Sequence, residues 1–138
     1  MGLIALTADD LDFADAWIDG QEDARWRSAS GHAPEGDVRA SGSSVIEVPE
    51  GCRLPRHTDS AEETVVVHQG VAEVEVAGER RQVTAGGLAV IPQDAPHEVR
   101  NAGEGPLRFV AVYAGPDVVT RYQDEVQPDG SRERHTVN

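Results

Sequence analysis

The chain contains no lysine, one cysteine, and only two residues each of tryptophan, tyrosine and phenylalanine. Cys52 on its own cannot close an intramolecular disulfide, so the fold must be held by a buried apolar core, for which 138 residues suffice as one domain. No apolar run approaches the roughly 20 residues that span a bilayer. The amino terminus has no basic stretch leading into an apolar one, so no secretory leader is expected and a soluble cytoplasmic protein is. All 12 basic residues are arginine, against 25 acids, for a net charge of -13. That balance argues against nucleic acid or an anionic membrane surface as a partner, because neutralising phosphate requires clustered positive charge. With aromatics at 4 %, few side chains are left to stack on a large flat ligand.

What is present is mostly β-patterned. The segment "TADDLDFADAWIDG" predicts a short helix, with Thr7 and Asp10 as a capping box, Gly20 as its stop and Phe13 paired with Trp17. Beyond it the periodicity becomes two. Short β-branched stretches such as "SSVIEV", "TVVVHQ", "VAEVEVAG", "LAVIP" and "LRFVAVYA" recur between glycines and prolines. Strict alternation in "VAEVEVAGERRQV" with a turn at Ala77-Gly78 reads as a hairpin. Many short strands at near-regular spacing imply an all-β sandwich or barrel. The expected organisation is an N-terminal arm with a short helix over 1–24, a barrel over 25–122, and a polar tail over 123–138 that is mobile or lies across a second subunit.

Titratable residues concentrate in "RHTDSAEET", Arg56 to Thr64. Residues two apart on a strand face the same way, so His57 and Asp59 can enter one cavity, with Glu63 arriving after a short turn and His97 from a distant strand. Two imidazoles with one or two carboxylates suit a divalent transition metal such as Fe, Mn, Ni, Zn or Cu better than Ca or Mg, which prefer all-oxygen sites. Glu62 competes with Glu63, and the spacing to Gly70 favours Glu63. Arg53 shares strand parity with His57, so it is a candidate for holding a substrate carboxylate. Val65 and Val67 continue the parity of Glu63 and are expected to line the pocket. Asn101 is expected to tie a turn to the backbone. His68 falls on the opposite parity, and His32 and His135 fall in loop and tail.

Two spaced patterns carry a resemblance. Gly51, His57, Asp59, Glu63 and Gly70 are followed, after the hairpin, by Gly86, Pro92, Asp94, His97 and Asn101. These residues closely resemble the two motifs of the cupin superfamily, Gly-x5-His-x-His-x3,4-Glu-x6-Gly and Gly-x5-Pro-x-Gly-x2-His-x3-Asn. The resemblance implies a jelly-roll β-barrel and a divalent metal held by His57, Glu63, His97 and the residue in the second-histidine slot, here Asp59. It also implies a homodimer. Asp59 departs from the family pattern. If it coordinates, the site has four ligands and two carboxylates; if it turns away, His57, Glu63 and His97 resemble a 2-His-1-carboxylate triad with open positions. Asp94 replaces a motif glycine, a mild change because aspartate tolerates the left-handed turn. The functions implied are a metal-dependent enzyme acting on a small organic molecule, as dioxygenase or as isomerase, lyase or cyclase, or else a non-catalytic barrel that binds or senses a metal or small ligand.

Overall fold

The computed structural model describes residues 3–30 and 40–135. His32 lies outside them. Twelve strands run β1 (Ala14–Ile18), β2 (Gln21–Ser30), β3 (Gly42–Val48), β4 (Arg53–Asp59), β5 (Glu63–Gln69), β6 (Val71–Val76), β7 (Glu79–Thr84), β8 (Leu88–Ile91), β9 (His97–Asn101), β10 (Leu107–Tyr113), β11 (Val119–Val126) and β12 (Ser131–His135). The sheet order is β7-β6-β9-β4-β2-β3-β10-β5-β8, with β1 on β2 and β11 bridging β4 and β12. The sheet curls into a nearly closed jelly-roll barrel. Among the described residues no helix is long and apolar enough to cross a membrane.

Period-two alternation is what closes the barrel. In β10, Leu107, Phe109, Ala111 and Tyr113 are buried while the residues between them are not. They meet Val65, Val67 and Ile91 from β5 and β8, and Leu54, Val74 and Val99 from β4, β6 and β9, in one apolar cluster. The predicted hairpin is present: β6 pairs with β7 through a turn in which Ala77 and Gly78 have φ of 51° and 81°, the two left-handed residues that such a turn needs. Gly70 is required more strictly. A Cβ there would meet the Pro106 carbonyl oxygen at 2.7 Å, so the β5–β6 corner passes too close to the loop before β10 for any side chain.

Both ends of the chain differ from expectation. Only one 3-10 turn, Ala8–Asp10, forms where a helix is predicted. The capping contacts exist, with the Thr7 backbone N–H and hydroxyl donating to the Asp10 carboxylate at 2.8 and 3.0 Å. The chain then becomes strand, because Ala16 and Ile18 gain burial by pairing β1 on β2, and tertiary burial overrides a helical pattern this short. Gly20, with φ of 82°, turns a hairpin rather than stopping a helix. Phe13 does not pair with Trp17; it lies under the Arg27 guanidinium at 4.4 Å, and the Trp17 indole donates to Asp19. The polar tail forms β12 and the end of β11, a hairpin whose first strand is paired with β4 at Thr120↔Asp59, Arg121↔Thr58 and Tyr122↔His57.

Candidate metal centre

β4 ends, β5 begins and β9 begins at the same place inside the barrel. His57 and Asp59 come from the last turn-facing positions of β4, Glu63 opens β5, and His97 opens β9 directly opposite His57 in the ladder. The Asp94 N–H donates to the Asp59 carbonyl at 2.9 Å, tying the Pro92–Ala95 turn to the end of β4. Asp94 has φ of 61°, as the motif glycine it replaces would allow.

The four side chains are 2–4 % exposed. Each offers one ligand atom, and these atoms all lie within 4.8 Å of one another. His97 Nε2 is 3.2 Å from Asp59 Oδ2 and 3.1 Å from Glu63 Oε1, and His57 Nε2 is 3.5 Å from Asp59 Oδ2. Both imidazoles are oriented alike: Nδ1 of His57 meets the Pro55 carbonyl at 2.7 Å, and Nδ1 of His97 meets the Ala95 carbonyl at 2.8 Å. A carbonyl only accepts, so each Nδ1 carries hydrogen and each Nε2 faces the cluster.

The electrostatics follow from enclosing two acids with two imidazoles. Burial alone would raise Asp59, but contacts with His57 and His97 and the Thr120 hydroxyl hold its carboxyl far below the usual range. Burial pushes Glu63 up, and the charge of Asp59 adds to that against the pull of His97. Burial opposes protonation of His97, yet contacts with Asp59 and Glu63 push it up to about 10. A positive charge is therefore called for at this point. Asp59 Oδ2, Glu63 Oε1 and His97 Nε2 are buried without an aligned hydrogen-bond partner. Burying such atoms unpaired is costly, and a cation among them would satisfy all three at once.

Three further residues complete the surroundings, all outside the two motifs. The Thr120 hydroxyl donates to Asp59 Oδ1 at 2.6 Å, turning Oδ2 toward the histidines. The Tyr122 ring lies 5.1 Å from His57 and 5.4 Å from Trp26. Tyr113 is paired with Glu63 at the end of β10, and burial beside Glu63 and Asp59 drives its phenol well above the ordinary value. Parity within "LRFVAVYA" already places Tyr113 on the face of Phe109. Thr120 and Tyr122 escaped because strand β11 begins where the barrel was expected to end.

Val65 and Val67 are fully enclosed behind Glu63. One pocket candidate, Arg53, is not where parity puts it. Arg53 lies on the outer face, donating to Asp23 and to Gln21 at 3.2 and 2.6 Å. The β4–β9 register shifts between Leu54 and His57, a bulge at Pro55, which has no N–H for the ladder; the shift reverses parity before His57. Glu62 is exposed in the turn before β5. Asn101 is buried, donating to the Val48 and Gly105 carbonyls and accepting from the Gly103 N–H, the backbone-tying role expected of it. His68 is exposed, and His135 contacts Asp117 and Glu133 at the surface. A cavity of about 270 Å³ lies away from the cluster, on the outer face of β4, β6, β7 and β9, walled by ion-paired residues including Arg56, Glu75 and Arg100.

A jelly-roll barrel with an inward imidazole and carboxylate cluster where its sheets meet defines the class of protein. Residues 44–113, about half of the chain, match the family model of the cupin domain, and the chain belongs to the cupin family. No curated protein is detectably similar in sequence. Among solved structures, Bacillus subtilis oxalate decarboxylase, in a study of its Mn(II) centres, aligns with a TM-score of 0.64 at 20 % identity over 79 % of this chain and 30 % of its own. The cupin domain of Schizosaccharomyces pombe Cnp3 aligns at 0.64 and 18 % identity, covering 81 % of this chain and 74 % of that one. A conserved Streptococcus pyogenes protein, SPY1581, aligns at 0.55 and 21 %, covering 69 % and 78 %. These likenesses establish the fold. The chain spans under a third of the decarboxylase's length.

Proposed function

We propose that this cupin is a metal-dependent enzyme acting on a small organic molecule, with one divalent transition metal held by His57, Asp59, Glu63 and His97. The observation that carries this reading is the convergence of three buried donor atoms without aligned hydrogen bonds, Asp59 Oδ2, Glu63 Oε1 and His97 Nε2, on one point. Nitrogen and carboxylate donors in equal number favour Mn, Fe, Ni, Zn or Cu, and the Mn(II) centres of the decarboxylase neighbour support manganese among them. Thr120 holds Asp59 toward the histidines, which favours four protein ligands over a three-ligand triad. A bound ion would supply Lewis acidity toward a carbonyl or enolate oxygen. The chain's own share is to fix the imidazole tautomers through the Pro55 and Ala95 carbonyls, and to wall the centre with Tyr113 beside Glu63 and the Tyr122 ring on His57. With two carboxylates already spent on the ion, isomerase, lyase or cyclase chemistry is favoured over a dioxygenase.

Elemental analysis of wild type beside Asp59→Ala tests this directly. Near-stoichiometric transition metal in the wild type that falls away in the variant is the expected result; metal retained in the variant would restore the triad, and none in either protein would end the metal reading. The enclosure of the four ligands favours a second reading, a binding or sensing barrel without turnover. Water-proton relaxation of the Mn(II)-loaded protein separates the two: an exchanging inner water favours an enzyme, and its absence a saturated, non-catalytic ion.

The protein is further proposed to be a homodimer. Leu88 and Val90 are 60 % and 55 % exposed on the end strand β8, and the ladder continues them outward through Val66 and Val110 to Val45. In a chain of charge -13 this apolar patch, bordered by the mutually paired Arg27, Glu47 and Arg108, is where two copies repel least. Sedimentation should show a dimer that Val90→Arg converts to monomer; a wild-type monomer at high concentration would refute it.

A further inference from the structure

The β11–β12 hairpin carries a positive charge, Arg134, on the same side as Thr120, whose hydroxyl reaches Asp59. Thr120 and Arg134 are directly opposed in that hairpin, and opposed residues of an antiparallel pair project to the same side. Thr120 projects inward, since its hydroxyl reaches Asp59. The neighbouring pair Arg121 and Glu133 projects outward, with side chains 63 % and 47 % exposed, while Arg134 is 32 % exposed. The Arg134 charge also acts on the Tyr122 phenol, whose ring packs on His57. Its guanidinium is only partly occupied. Nη2 donates to Asp129 Oδ1 at 3.1 Å, an exposed acid in the hairpin turn, whereas Nε is buried with no hydrogen-bond partner. A buried guanidinium N–H left idle opposes folding, which makes its retention here in need of a reason.

Charge at the centre provides one. A divalent ion held by Asp59 and Glu63 would be neutralised by them and would hold little net attraction for an anion, and the chain as a whole, at -13, repels one. We infer that Arg134 is a substrate-binding residue that selects an organic carboxylate at the centre, with Nε and a second guanidinium N–H gripping the carboxylate as a fork. The inference rests on the metal-centre reading for the position of the reacting end of the substrate. It takes its own support from the idle Nε and the hairpin register. A planar fork suits a carboxylate, and the exposed Asp129 contact is weak enough for a substrate carboxylate to replace it.

Calorimetric titration with malonate and with neutral malonamide, on metal-loaded protein, tests the assignment. Wild type should bind malonate and not malonamide. Arg134→Ala should weaken malonate by about tenfold or more with metal content unchanged, the loss expected for one charge-assisted contact; Arg134→Lys should recover part of it. Asp129→Asn, which frees the guanidinium, should tighten it, and this variant keeps the test decisive if Arg134→Ala is misfolded. Equal binding of malonamide, undiminished affinity in Arg134→Ala, or unchanged or weakened affinity in Asp129→Asn would overturn the inference. A wild type that takes up no metal would sink the metal reading, and the same titration on metal-free protein would still decide the role of Arg134: arginine-dependent malonate binding supports it, and no binding overturns it.

Discussion

His97→Ala is expected to give a folded barrel that no longer retains metal. The residue supplies one of two imidazoles, and its Nε2 sits between Asp59 Oδ2 and Glu63 Oε1. Loss of a partner that merely supports a ligand already costs about 10- to 100-fold in affinity, so loss of the ligand itself should exceed about a hundredfold. The barrel should survive, because Glu63, pushed up by its burial, takes a proton and relieves repulsion with Asp59. A second readout follows from linkage. In metal-free wild type the folded state holds a proton on His97 up to about pH 10, against an ordinary histidine value of 6.5. The folded-state value is the raised one. Its contribution to stability is therefore complete below about 6.5 and disappears as pH rises through about 10. Thermal melts of the metal-free protein should drop between pH 7 and pH 10; metal-loaded wild type and His97→Ala should lack this component. Metal retained at wild-type level in His97→Ala would remove the residue from the ligand set.

Phe109→Ala is expected to be the most damaging change in the apolar core, costing about 3–5 kcal/mol. Phe109 is fully buried on β10, opposite Ile46 of β3 and Val67 of β5. Its neighbours are mostly valine and alanine on a hydrogen-bonded sheet, and strands fixed by ladders on both sides cannot close around the void. With aromatics at 4 % of the chain, few other large side chains can repack into it. Denaturant titration measures the loss, and a cost below about 1 kcal/mol would show that the barrel interior collapses more readily than its ladders suggest.

The four clustered residues were legible because their recognition needs only spacing. His57, Asp59, Glu63 and His97 sit at strand ends, where a fixed count of residues fixes a position, and the structure brings all four together. The barrel was legible for the same reason, since alternation in β3, β5, β6 and β10 reports one buried face. What failed depended on events that alternation does not report. The bulge at Pro55 reverses the parity that put Arg53 inside. At the N-terminus a helix-like pattern lost to pairing with β2, a partner that local periodicity cannot see. Thr120 and Tyr122 lie at the very end of the span expected as barrel, and Arg134 lies in the segment whose polarity suggested a loose tail; Thr120 is polar because it faces Asp59 rather than the apolar core.

The strands that carry the cluster are not all neighbours. β4 and β9 lie side by side in one half of the sheet order, while β5 lies between β10 and β8 in the other. An ion bridging Glu63 to His57 and His97 would therefore act as a cross-link between the two halves of the barrel, placed at one rim. Without it the halves are joined there by the turns over 60–62 and 92–96, the bond from the Asp94 N–H to the Asp59 carbonyl, and side-chain contacts, and local opening at that rim is a low-energy route to exposing amide hydrogens. With it, the rim amides of β5 and β9 would exchange only when the ion left or the whole domain unfolded, so occupancy of the centre would set the cooperativity of the fold.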